Sequence, residues 1–123
     1  MRINIPEGVT SIDRCCFYGC SSLTSINIPE GVTRIEDDCF DGCTSLTSIT
    51  IPENVTYIGG YCFFRCSNLL NIYVKPVFPP KLDDMYTTFY YCAEGFKIYV
   101  SHESLKSYIT ADGWSELAEA IVG

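Results

Sequence analysis

The sequence has one histidine among 123 residues, no Cys-x-x-Cys pair, no glycine-rich phosphate loop and no run of lysine or arginine. Each shortage removes a class of function. A lone histidine, His102, leaves too few nitrogen ligands for the common zinc sites, whose closely spaced thiol pairs are missing as well. Nucleophilic catalysis by a Cys–His or Ser–His pair needs a third, orienting group that the sequence does not display, so His102 reads as a surface or capping residue. With 8 basic against 15 acidic residues and a net charge of −7, the chain would be repelled by nucleic acid and by anionic membrane surfaces. No window approaches the roughly 20 apolar residues of a spanning helix, and the first six residues lack the apolar core of a signal peptide. The expectation is a soluble, non-enzymatic chain without an address, with no cofactor, no metal, no nucleic-acid partner and no membrane insertion.

What the sequence does contain is repetition. Hydrophobic residues make up 47% and aromatics 14%, enough for the core of one small domain. The phrase "INIPEGVTSIDRCCFYGC" at Ile3 returns as "INIPEGVTRIEDDCFDGC" at Ile26 and as "ITIPENVTYIGGYCFFRC" at Ile49, a gapless period of 23 residues. Ile3, Ile26, Ile49 and Ile72 share a column; so do Ile12, Ile35 and Ile58, and likewise Phe17, Phe40 and Phe63. Cys16, Cys39 and Cys62 form another column, with Cys20, Cys43 and Cys66 beside it. A period of this length with fixed apolar columns is the mark of a leucine-rich solenoid.

The alternation in "I-x-I-P" predicts a half-buried strand ended by proline, followed by a turn at Gly8, Gly31 and Asn54. From Ile12 the apolar residues Ile12, Cys16 and Cys20 recur every four positions, which predicts about two helical turns returning the chain. A single coil cannot bury its own apolar edge, so the copies should stack, strand beside strand, at roughly 4.8 Å in a parallel sheet. Buried cysteines would then fill gaps between coils as small hydrophobes; disulfides between stacked cysteines are the alternative, though a three-membered column leaves one over. Cys15 falls outside the columns and is expected to be exposed and reactive.

The fold class expected is an α/β repeat solenoid, a right-handed leucine-rich repeat of about four coils with a parallel β-sheet on one face and a helical C-terminal cap. Residues 1–75 hold the regular repeats. Residues 76–100 hold a degenerate last coil, in which "FYYC" keeps the Phe-x-x-Cys spacing 26 residues after Phe63; the extra three residues are assigned to the loop "KPVFPPKLDD", whose prolines exclude helix and central strand. "KIYV" at Lys97 repeats "NIYV" at Asn71 and should be the fifth strand. Residues 101–123 form the cap, with Ser101 as N-cap of "HESLKSYI" and a second helix placing Trp114, Leu117 and Ile121 on one face.

The pattern "LTSINIPEGVTRIEDDCFDGCTSL" resembles the BspA-like leucine-rich repeats, also called the Treponema pallidum type, over about residues 1–75. The tail "IYVSHESLKSYITADGWSELAEAI" is similar to the closing segment of many such proteins from gut Bacteroidetes. The resemblance implies a secreted or surface-attached protein engaged in adhesion to host proteins or to other bacteria. Where the family has Ala before the Phe, this chain has Cys16, Cys39 and Cys62, as in the repeat families of some parasitic protists.

Recognition of a protein partner, a host or bacterial surface protein on this resemblance, would use the outward residues of the strands. Those are Asn4, Asn27, Thr50 and Tyr73 in one column and Arg2, Ser25, Ser48 and Asn71 beside it, with Tyr57, Tyr61, Phe64, Tyr90 and Tyr91 extending the patch to the other side. The alternative for Tyr73 is packing against the cap. Glu7, Glu30 and Glu53 share a repeat position, and Asp37, Asp38 and Asp41 make the middle coil acidic; both read first as solvated faces and second as strips for a cation or basic partner. Three functions follow: a cell-surface or secreted adhesin-like module if the chain is part of a longer protein; a free-standing acidic intracellular binder or inhibitor of a basic protein, cytoplasmic, if Met1 is the native start; and a structural stalk or cap segment that self-associates through its uncapped first coil at Arg2–Pro6.

Overall fold

The computed structural model describes residues 1–83 and 85–123 in backbone, and all of these except 85 and 86 in side chain. In chain order the strands are β1 (Arg2–Asn4), β2 (Ser11–Ile12), β3 (Ser25–Asn27), β4 (Arg34–Ile35), β5 (Ser48–Ile51), β6 (Tyr57–Ile58), β7 (Asn71–Val74) and β8 (Lys81–Leu82). A short helix α1 (Met85–Thr88), strand β9 (Lys97–Tyr99), helix α2 (Leu105–Thr110) and strand β10 (Ile121–Val122) complete the order. Every strand pairing is parallel, and each step runs one coil to the next, as stacked copies require. The front of the solenoid carries two ladders, β1 with β3 and then β5, β7, β9 and β10 in spatial succession. Isoleucine stays in register along the second of these, Ile49 beside Ile72, Ile98 and Ile121.

The return path differs from the expectation. No helix follows Ile12; instead Ile12, Ile35 and Ile58 sit in the two-residue strands β2, β4 and β6, which with β8 make a second parallel sheet. Beyond it the chain runs in tight turns, Cys16 N–H to the Asp13 carbonyl and Cys20 N–H to the Phe17 carbonyl. Two features stop an α-helix there. Cys15, Asp38 and Tyr61 stand at positive φ (59°, 58° and 57°), which a right-handed helix does not tolerate. Alternate backbone N–H groups are also committed to the next coil, Phe17 to the Cys39 carbonyl and Phe40 to the Cys62 carbonyl, and are lost to i−4 bonding.

The core lies between the two sheets and these turns. Phe17, Phe40, Phe63 and Phe89 stack with centroids 5.3–5.5 Å apart and planes within 10° of parallel, a separation at which aromatic pairs attract. The cysteine column beside them has a polar reason as well as a steric one. The thiols of Cys43, Cys66 and Cys92 donate to the carbonyls of Phe17, Phe40 and Phe63, one coil back, at 3.2, 3.0 and 3.4 Å. All eight cysteines are free. Burial pushes the Cys43 thiol up to about 11 and the Cys92 thiol up to about 12, and raises Cys39, Cys62 and Cys66 too, so these stay protonated donors at neutral pH. Cys16, expected in the core, is exposed, because no coil covers its outer side among the described residues; Cys20 is half-buried and Cys15 exposed.

The closing region also departs from expectation in part. Lys81 pairs with Tyr57, 24 residues back, so one of the three extra residues is taken up before β8 and two between Leu82 and Phe89, where Asp84 of the expected loop lies outside the described residues. Strand β8 follows Pro80 on the outer edge of the second sheet, where a neighbouring proline is tolerated. Ser101 holds the extended N-cap conformation, yet its hydroxyl bonds the Ser104 hydroxyl at 3.1 Å and no backbone N–H. The segment 102–110 is one 3-10 turn, His102–Ser104, followed by α2. The second expected helix is a 3-10 stretch, Trp114–Ala120, and Ile121 belongs to β10, a sixth front strand. Two buried side chains pin this cap to the proline loop: Tyr108 donates its hydroxyl to the Pro76 carbonyl at 2.6 Å, and Trp114 Nε1–H donates to the Pro80 carbonyl at 2.7 Å. Trp114 also meets Phe89 at 6.2 Å, which ends the phenylalanine column.

Candidate interaction surface

The front strands present alternate residues outward. In β5 Ile49 and Ile51 are buried while Ser48 and Thr50 are exposed, and in β7 Ile72 and Val74 are buried while Tyr73 is exposed and Asn71 half-buried. Parallel register carries this alternation from coil to coil: Arg2 beside Ser25, Asn4 beside Asn27, Ser48 beside Asn71, and Thr50 beside Tyr73. Asn4 and Asn27 are exposed and Ser25 is half-buried. The expected columns are therefore assembled on one face.

Tyr57 lies in β6, in the second sheet, and does not share that face. It is half-buried beneath the Arg34 guanidinium, 4.1 Å from the ring centroid, and its hydroxyl donates to Asp37 Oδ1 at 3.5 Å. Partial burial, then the neighbouring carboxylates of Asp37, Asp83 and Glu36, push its phenol up from the usual range. Tyr57 is thus held in an intramolecular cluster. Tyr61, Phe64, Tyr90 and Tyr91 form their own aromatic group on the turn side, with Phe64 at 5.1 Å from Tyr61 and 5.7 Å from Tyr91.

Tyr73 does not pack against the cap. It stacks on Tyr99, centroids 5.1 Å apart and planes 18° from parallel, and remains 40% exposed. Tyr99 was missed by the sequence reading, although "KIYV" repeats "NIYV" and aligns the two tyrosines. Val122, paired with Tyr99 in β10, was missed too; the 23-residue step from Ile98 to Ile121 was the available signal. The outward column therefore changes from Asn4, Asn27 and Thr50 to Tyr73, Tyr99 and Val122, polar at one end and apolar at the other. Beside the tyrosine pair Lys75, Val100 and Ser101 border a recess of about 200 Å³.

The acidic residues are disposed differently from a uniform solvated face. Asp41 is buried and bonded to Arg65 at 3.2 Å, and Asp37 Oδ1 accepts the Gly60 N–H at 2.9 Å. Glu7, Glu30 and Glu53 are exposed, as is His102. Among the described residues no three His, Cys, Asp or Glu side chains are grouped to hold a metal ion, and no helix is long and apolar enough to cross a membrane.

A family model described as "BspA type Leucine rich repeat region" matches residues 1–109 in six copies. No curated protein matches the chain. Among solved structures, the chain is similar to a leucine-rich repeat protein from Bacteroides ovatus ATCC 8483, with 25% sequence identity and a TM-score of 0.44 over 80% of this chain and 39% of that one. The chain thus spans about two fifths of the length of that neighbour.

Proposed function

The chain belongs to the BspA type leucine-rich repeat family, and from that premise we propose that it is a non-enzymatic recognition module that binds a protein partner through its front strand face. In this reading it serves as the repeat domain of a cell-surface or secreted adhesin-like protein, with a host or bacterial surface protein as partner. The observation that carries the reading is the stacked Tyr73–Tyr99 pair, Tyr73 exposed and Tyr99 half-buried on the outer face of the sheet, while Ile49, Ile51, Ile72, Val74 and Ile98 of the same strands are buried. Rigid aromatics with polar tips supply contact area at low entropic cost, which is why they anchor interfaces. The polar columns of Asn27, Thr50, Ser48 and Asn71 border that anchor on the side of the earlier coils with hydrogen-bonding groups.

The test is a photo-reactive phenylalanine analogue placed at Thr50 or Tyr73, with Thr33 on another part of the coil as control, applied to intact cells and secreted fractions of the source. Cross-links confined to the strand-face positions, at an extracellular location, support the reading. Equal labelling from Thr33, or a wholly cytosolic native protein, sinks it. A second, structural reading rests on the first coil, where Ile3, Ile5, Val9, Phe17 and Cys20 are only half-buried. If that surface mediates self-association, sedimentation of the 13.8 kDa chain will show a concentration-dependent dimer that an Ile5→Lys substitution abolishes.

A further inference from the structure

Two adjoining hollows of about 420 and 460 Å³ open on the turn side at the closing end of the solenoid, and they share Phe96, Glu116 and Leu117 as lining. Tyr90, Tyr91 and Glu94 line the first, and Glu119 lines the second. The floor is fixed, because Phe96 stacks on Phe89 at 6.2 Å and Phe89 is wedged against Trp114. The walls are open to solvent, Tyr90 at 53% and Tyr91 at 62% exposure. The groove therefore offers aromatic faces and three carboxylates; no lysine or arginine lines it, and none of the three glutamates is ion-paired among the described residues.

The molecule itself displays what such a combination holds. Arg65 lies 5.1 Å over the Phe64 ring while bonding Asp41, and Arg34 lies 4.1 Å over the Tyr57 ring while bonding Glu36. In both places a guanidinium is held between an aromatic face and a carboxylate, the geometry its planar, weakly hydrated cation favours. The groove presents the same two halves without the arginine. We propose that it binds an extended, arginine-bearing segment of a partner protein, drawn in by the acidic net charge. The site is separate from the front strand face and does not depend on it.

The test titrates the isotope-labelled full chain with a blocked Arg-Ala-Arg-Ala-Arg peptide, followed by amide shifts and by fluorescence anisotropy. Shifts should cluster on residues 90–96 and 115–119. Affinity should fall about five-fold or more in the E94Q/E116Q double variant and in Y91A, all three being exposed positions, with the amide spectrum of each variant checked for an unchanged fold before titration. A lysine version of the peptide should bind more weakly, and Tyr73→Ala should change nothing. The control is E7Q/E30Q, which removes the same two charges elsewhere. If that variant weakens binding as much as E94Q/E116Q, or if shifts scatter over all acidic surfaces or fail to occur, the proposal is overturned.

Discussion

The two ends of the solenoid use the same columns and bury them differently. At the first coil Phe17 and Ile3 are half-buried and Cys16 is exposed; two coils later Phe63, Ile49 and Cys62 are buried. At the last coil Phe89 is only 3% exposed, although no regular copy follows it, because Trp114 and Tyr108 stand in for one. Burial of a repeat residue is thus a property of its neighbours on both sides. A cap built from unlike residues seals the column as well as another copy would, provided its polar atoms find partners, as Trp114 Nε1 and the Tyr108 hydroxyl do on the proline loop.

Removing that seal should make the closing end resemble the open one. Trp114→Ala takes out a fully buried indole and its hydrogen bond, and the expected loss of stability is about 3–5 kcal/mol in urea unfolding. Phe17→Ala, at the open end, should cost clearly less than Phe40→Ala, whose ring is stacked on both sides. Equal costs at Phe17 and Phe40 would break the comparison. A smaller effect is expected at Gly59, where an added Cβ would lie 2.6 Å from the Glu36 carbonyl carbon of the preceding coil. Backbone cannot step aside there, so Gly59→Ala should destabilise by about 1–3 kcal/mol. Gly31→Ala, at ordinary φ with its nearest neighbour 3.6 Å away, should stay within about 0.5 kcal/mol.

Thiol titration sharpens the same contrast with pH. Cys43 ionises near pH 9 when unfolded and at about 11 when folded, so the folded state retains its proton over that window while the unfolded chain loses it. Stability from this source is complete below pH 9 and declines as pH rises toward 11; Cys92, pushed up to about 12, extends the decline. The measurement is Tm against pH from 7 upward, compared with a Cys43→Ala chain, which should show a flatter alkaline limb. In the native state a thiol reagent should modify exposed Cys15 and Cys16 first and leave Cys39, Cys62 and Cys66 protected.

The repeat made the front half of each coil legible, since "I-x-I-P" fixes strand, face and stop in four residues, and register then follows from a gapless period. The return path was misread because apolar spacing of four is also what one short strand and two tight turns produce when backbone donors are taken by the next coil. Ile12, Cys16 and Cys20 carry no mark that tells the two apart. Positive φ at Cys15, Asp38 and Tyr61 is equally silent, as none of them is glycine. At the closing end, Ile121 carried a readable signal in its distance from Ile98, masked by the helix-like run "WSELAEA" before it. The strand-face columns were legible for the same reason as the strands; the hold of Tyr57 on Asp37 beneath Arg34 was not, because sequence order does not say which side chains of successive coils the stacking brings together.

Among the aromatic residues the smallest effect is expected at the surface proposed to bind, and its smallness is the point. Tyr73 stacks on Tyr99 across the parallel pair, lies beside Thr50 and stays 40% exposed, so Tyr73→Ala should cost less than about 1 kcal/mol, and the double-mutant cycle with Tyr99→Ala should return a coupling of about 0.2–1 kcal/mol. A core or cap residue of that size would cost several times more. A tyrosine pair that contributes so little to folding yet keeps large apolar area in water is spared for another role, and a measured loss of 3 kcal/mol or more, in the range of buried aromatics, would place Tyr73 among the sealing residues and end the case for the strand face.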